Sequence, residues 1–235
     1  MAKKFDYEKI DYGFYDHIFH KNKGIRSAWH HIKFNFIKKK IKIKDKHLDI
    51  GCGSGTFISL LKNRFSVGLD ISKKQIDFAK KKYGKNNRKF YCYKKKIILK
   101  KNFFDSISII ELIEHLTNKQ INDLLNQSFN VLKKGGKVYI TTPNYLSFWP
   151  ILELILNKVS NVSYEHQHIN KFNPFKIKKI INEKKFKVNM CNSFVLFSPF
   201  IAFFSFKLAI NLSKFENLFT KLIPGFLLFI EIEKK

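Results

Sequence analysis

Residues 48–57 read Leu-Asp-Ile-Gly-Cys-Gly-Ser-Gly-Thr-Phe, and no other stretch constrains the fold as tightly. A strand-like run, Lys46–Ile50, stops at three glycines spaced by two, Gly51, Gly53 and Gly55, and an amphipathic segment follows at once. The order is strand, tight turn, helix. Glycine removes the Cβ from the turn, so the backbone can come close to a ligand laid over it. A second acid, Asp70, closes the run Phe65-Ser66-Val67-Gly68-Leu69. A carboxylate at that place in a βαβ unit can accept hydrogen bonds from a nucleoside ribose. The dinucleotide fingerprint G-x-G-x-x-G is not met, because Thr56 stands where its last glycine belongs.

Strand and helix periods alternate around this turn. Strands are expected at about 46–50, 65–70, 89–93, 105–110 and 137–142. Helices are expected at about 25–41, 55–63 and 72–83, the last capped by Ser72. Glu111–Leu116 reads as a loop and helix start, and Thr117–Gln120 opens a helix that ends in the turn Leu132–Gly136. This alternation predicts a parallel sheet covered on both faces. Beyond it, helices at 147–162 and from Asn173-Pro174 to about 183 precede strands at 186–193 and 226–233.

The segment 194–222 stands apart. Phe194, Phe197, Phe200, Phe203 and Phe206 recur every three residues, and Pro199 suits a helix start. Its apolar run before Lys207 is shorter than the roughly 20 residues a membrane span needs. Two readings remain open: a helical insert packing on the sheet or forming a lid, and an interfacial helix or greasy acceptor pocket.

The formal net charge of +27 invites a nucleic-acid partner. Yet only Arg26, Arg64 and Arg88 are arginine, the side chain best suited to bidentate phosphate and base recognition. The excess is lysine, beside many Ile, Asn and Phe, a mix that an AT-rich coding sequence produces without selection for binding. Nucleic acid is therefore the weaker expectation. The three cysteines, Cys52, Cys92 and Cys191, form no disulfide framework and no zinc signature, which points to a reducing cytosol. The polar start, with Asp6, Tyr7, Glu8 and Asp11, does not read as a secretory leader.

The motifs Leu48–Phe57, Val67–Ser72, Phe104–Leu116, Gly135–Asn144 and Glu165–Phe172, in this order, resemble class I S-adenosylmethionine (SAM)-dependent methyltransferases. They are most similar to the group that includes the ubiquinone-pathway O-methyltransferases. The resemblance implies a Rossmann-like α/β fold: a seven-stranded, mostly parallel sheet with an antiparallel last strand, helices on both faces and a helical lid or insert. It divides the chain into an N-terminal helical cap (1–43), a SAM-binding core (44–193), the hydrophobic insert (194–222) and the final core strand (223–235).

The same resemblance implies a SAM site. Gly51, Cys52, Gly53 and Gly55 would bring backbone to the methionine part and ribose, and Asp49 would orient the amino-acid end. Asp70 would accept from the ribose hydroxyls, Ile71 would lie on the adenine face, and Glu111 would face the methionine end or the acceptor. An acid that often follows strand 3 in such proteins, to hold the adenine amino group, is replaced here by Tyr93-Lys94-Lys95-Lys96.

The implied reaction is in-line methyl transfer to a small or lipid-linked acceptor at oxygen, for which a histidine base suits neutral pH. Catalytic candidates are His115, His166 and Glu111, with His168 close by. Glu111, Glu114 and His115 at i, i+3 and i+4 would share one helix face and, with His166 or His168, hold a divalent cation. Trp29 is expected either in the core or closing over SAM, while His30 and His31 are expected to face solvent. Two alternatives stand: an RNA 2′-O-methyltransferase, and a non-catalytic SAM-binding module that touches the inner membrane surface through 194–222.

Overall fold

The computed structural model describes residues 10–94, 96–159, 168–216 and 218–235. Two helices, α1 (Phe14–His20) and α2 (Gly24–Lys38), precede β1 (Lys46–Ile50). Then come α3 (Thr56–Ser59), β2 (Phe65–Asp70), α4 (Lys73–Tyr83), β3 (Arg88–Cys92) and β4 (Phe104–Ile110). A 3-10 turn, Ile113–His115, leads into α5 (Asn118–Val131) and β5 (Leu132–Pro143). The remaining elements are α6 (Trp149–Val159), α7 (Pro174–Ile180), β6 (Phe186–Phe194), α8 (Ser198–Ile201), α9 (Phe206–Glu216) and β7 (Leu227–Lys234).

The strands form one sheet in the order β3-β2-β1-β4-β5-β7-β6. β1 to β5 pair in parallel, and β7 runs antiparallel to both β5 and β6, the implied arrangement. Alternation along each strand separates two cores. On one face Leu48, Ile50, Ile107, Ile109, Val138, Ile140, Leu228 and Ile230 pack against α5 and α7. On the other, Tyr139, Leu227 and Phe229 meet Ala28, Ile32 and Ile37 of α2 together with Ala202 and Ala209 beside them. Ile58, Ile76, Ala79 and Phe90 extend this second layer towards β3.

Three local expectations are corrected. The helix after the glycine turn stops at Ser59 rather than near 63. Leu132–Gly136 is not a turn: β5 begins at Leu132, paired with Phe104 through an irregular register, with Gly135 at φ 72° in the kink. Tertiary pairing to β4 thus overrides the local turn signal. Finally, Glu111–His115 forms no α-helix but a strand end, with Glu111 at φ 48°, followed by one 3-10 turn.

Candidate active site

The chain leaves β1 towards β2 and β3, then returns to β4 on the other side of β1. Such a reversal opens a crevice at the carboxyl ends of the two central strands, the usual ligand position in open α/β sheets. The glycine bend follows β1 at this edge, and Glu111 follows β4.

Gly51, Gly53 and Gly55 all adopt positive φ. At Gly55 a Cβ would come within 2.7 Å of Phe90 and 2.9 Å of Ala79, so close packing requires glycine there. Gly53 points to more open space, its nearest neighbour being the Tyr15 ring at 3.9 Å. The Asp70 carboxylate turns onto the bend, accepting from the Gly53 N–H at 2.8 Å and the Ser72 N–H at 2.9 Å. Ile71 beside it is 45% exposed at the same edge. Cys52 behaves differently: its buried thiol packs with Ile58, Ile76 and Phe90, and its N–H is spent on the Leu69 carbonyl. Its side chain belongs to the core rather than to the ligand edge.

Asp49 lies buried at the end of a polar file on the sheet face opposite Leu48 and Ile50. Ser108 Oγ donates to Asp49, and the His47 ring spans Ser108 and Ser106, each at 2.9 Å. Burial pushes the Asp49 carboxyl up to about 7, the Asp70 charge adds to this, and the Ser108 hydrogen bond opposes it. Burial likewise drives His47 down to about 3, so its ring is neutral.

The N-terminal helices close over this edge. Asp16 of α1 is fully buried, and accepts from Thr56 Oγ1 at 2.9 Å and from Lys82 and Tyr83 of α4. Glu111 accepts from Trp29 Nε1 at 3.2 Å and from the buried Lys33 ammonium. Burial alone would raise the Glu111 carboxyl, but the Lys33 charge prevails and lowers it. Glu111 therefore ties α2 to the end of β4, and Trp29 sits at the site edge, 5.7 Å from the Trp149 ring and 6.1 Å from Phe226.

The expected solvent-facing histidines turn inward instead. His31 stacks on Phe19 at 3.8 Å, and His30 lies 6.0 Å from the Tyr15 ring. Burial and then Lys33 lower His30 to about 3. Among the described residues, His30 Nδ1 and Trp149 Nε1 are buried side-chain polar atoms with no hydrogen-bond partner. Trp149 is 6% exposed and contacts both Trp29 and the His168 ring, so its N–H lies beside the polar cluster described next, where it acts on the Tyr145 hydroxyl.

Glu114, His115 and His168 bring one potential ligand atom each to within 4.8 Å of one another. The set expected from helical spacing differs, because Glu111 is held by Lys33 and Trp29. His166 lies outside the described residues. His168 Nδ1 is 2.7 Å from Glu153 Oε1, while the Tyr145 hydroxyl donates to Glu153 Oε2, also at 2.7 Å. A carboxylate on Nδ1 fixes the tautomer that leaves the lone pair on Nε2, the support found behind metal-bound imidazoles. Glu114 accepts from Thr142 Oγ1 at 3.0 Å, and burial, then the Glu111 charge, raise it to about 8. One carboxyl and two imidazoles are a donor set that fits a divalent cation.

Lys33, Tyr145 and Glu153 join the site without being expected from the sequence. Lys33 falls on the apolar stripe of α2, four residues after Trp29, and Glu153 is the sole acid in an apolar helix. A lone charge on an apolar face was the available signal.

A methyltransferase-domain family model matches residues 22–189. An uncharacterised protein of Methanocaldococcus jannaschii is 32% identical over 196 residues, 80% of this chain and 69% of the relative. The ubiquinone biosynthesis O-methyltransferase of Pelagibacter ubique is 35% identical over 125 residues, 48% of this chain and 51% of that protein. Among solved structures, a Pyrococcus horikoshii OT3 protein superposes with a TM-score of 0.63 at 18% identity, covering 94% of this chain and 98% of its own. The magnesium protoporphyrin IX methyltransferase of Synechocystis, solved with bound S-adenosylhomocysteine (SAH), also gives 0.63, at 12% identity and with 94% and 93% covered.

Proposed function

Because the chain belongs to the methyltransferase-domain family of class I SAM-dependent methyltransferases, we propose that it methylates a hydroxyl oxygen of a small, largely apolar or lipid-linked acceptor. The observation that carries this reading is the Glu114–His115–His168 cluster placed beside an aromatic wall of Trp29, Trp149 and Phe226. The wall suits an apolar body, and the cluster suits a polar reacting end.

In this reading the Asp70 carboxylate holds the ribose of SAM, the bend at Gly53 lets backbone approach it, and Asp49 takes the amino-acid end. SAM supplies a methyl already activated on its sulfonium. The protein's task is to align the acceptor oxygen in line and keep water out. The His115 imidazole receives the hydroxyl proton. Glu153 and Tyr145 keep His168 in one tautomer beside it. A divalent cation held by Glu114, His115 and His168 would take up the His115 lone pair, and its positive charge, in place of that base, would favour the ionised hydroxyl.

The test is transfer of labelled methyl from SAM to a panel of phenolic and prenylated hydroxyl compounds, with and without EDTA. Oxygen-methylated product in either arm supports the reading, and loss of product with EDTA assigns the cation. Asp70→Ala is expected to weaken SAM binding by at least tenfold, as about two hydrogen bonds to a charged group are lost. His115→Ala is expected to leave SAM binding intact and abolish turnover. Methylation confined to nitrogen or carbon would overturn the acceptor assignment.

A further inference from the structure

Two helical arms at the ligand edge carry bare apolar side chains. α6 follows β5, and α8 and α9 follow β6, so both leave the sheet at its carboxyl edge. Residues 218–226 return to the same edge to start the antiparallel β7. The arms share one aromatic cluster: Phe197 and Phe200 lie 6.0 and 5.8 Å from Phe226, which Trp29 links to Trp149 at the start of α6. Their inner sides are packed, with Ala202 and Ala209 buried against the α2 layer. Their outer sides are not. Leu154 is 63% exposed, Phe203 76%, Phe204 86%, Leu218 73% and Leu222 83%. Such a concentration of large exposed apolar groups marks an interaction surface.

Charge decides what that surface meets. Residues 146–159 contain one acid, Glu153, and residues 197–223 contain one, Glu216. Both acids are turned inward. Glu153 holds His168, and Glu216 accepts from the Leu196 and Ser198 N–H groups and the Ser198 hydroxyl. The charges left exposed on these arms are all lysines: Lys158, Lys207, Lys214 and Lys221. Apolar side chains whose exposed charged neighbours on these arms are, among the described residues, all lysines complement a layer with a negative surface and a hydrocarbon interior. A second copy of the chain would instead place lysine against lysine. No helix among the described residues is long and apolar enough to span a membrane, so the contact is one of lying on the surface.

We propose that the ligand edge docks on an anionic phospholipid bilayer through α6, α8, α9 and the 218–223 turn, with the site mouth facing the lipid. Docking itself is independent of the reaction. Only the corollary, that the acceptor enters from the bilayer, rests on the function proposed above.

The experiment is sedimentation of the full chain with vesicles of phosphatidylcholine alone and of phosphatidylcholine with phosphatidylglycerol. SAM binding and mass in solution are measured on the same preparation. Binding is expected to be at least about tenfold stronger to the anionic vesicles and to fall with salt. The double variant Phe204→Glu, Leu222→Glu should lose vesicle binding while keeping SAM affinity and thermal melting, since both side chains are exposed. Replacing Lys207, Lys214 and Lys221 by glutamine should remove the preference for anionic lipid. Equal binding to both vesicles, no binding to either, or a dimer broken by the double variant without vesicle binding would overturn the proposal. Vesicle binding without any SAM binding would leave docking standing and sink the enzymatic reading instead.

Discussion

At the scale of single residues, the site is built from charges that burial has displaced from their ordinary behaviour. Asp49 is raised to about 7, so much of it carries a proton at neutral pH and nearly all of it below about 6. In the role proposed for Asp49, a protonated carboxyl cannot balance the ammonium of SAM. SAM affinity is therefore expected to fall as pH drops through 7, by up to about tenfold per unit below it, and Asp49→Asn should flatten the profile. Isothermal titration between about pH 5.5 and 8.5 checks this. Glu111 shows the opposite balance, because Lys33 outweighs its burial. Glu111→Gln leaves the Lys33 ammonium buried without a counter-charge and is expected to cost about 3–5 kcal/mol in urea unfolding. Adding Lys33→Met should recover most of that loss, as expected when both partners of a buried pair go. The glycines and Asp70 were legible because their types and spacing state a backbone need. Lys33, Glu153 and the inward turn of His30 were not, because which neighbour a lone polar side chain finds depends on segments far away in sequence.

Among the elements, those with strong periodicity came through, and those whose form depends on a partner did not. β1, β2, β4 and α5 lie within a residue or two of their expected bounds. For α5 the reason is local: Thr117 and Gln120 form a reciprocal capping box at its start. β5 starts five residues early because β4 is there to pair with. The Glu111–His115 stretch fails as a helix because Glu111 sits at φ 48°, outside the right-handed helical region, and Leu116 is already extended, which leaves only a 3-10 turn between them. The expected set is correspondingly reduced: Glu111 is held by Lys33 and Trp29, and Glu114 and His115 lie with His168, one of the two histidines expected to complete it. The strand–glycine–helix element offers its own test. Gly55→Ala forces a Cβ against Phe90 and Ala79 at φ 76°. The φ alone costs about 1–2 kcal/mol. Both melting temperature and SAM affinity are expected to fall, read by thermal shift with and without SAM.

Across the whole molecule, the +27 net charge imposes a cost that no single contact shows. Like charges confined to a compact body repel, and salt screens them. Raising sodium chloride from about 0.05 M to about 0.5 M is expected to raise the melting temperature, the reverse of what surface ion pairs alone would give. The cover on both faces of the sheet followed from alternation of strand and helix periods, since a parallel pair needs a crossover helix, whereas the seven strands with an antiparallel last one were implied by the family resemblance. The sequence by itself determined the class of fold, the glycine bend and the acid opposite it, because these rest on local backbone geometry and fixed spacing. Only the tertiary structure decided that Lys33 claims Glu111, that Glu153 steadies His168, and that the acids of the outer arms turn inward. Those choices depend on which distant segments become neighbours, and burial then fixes the charge each group can keep.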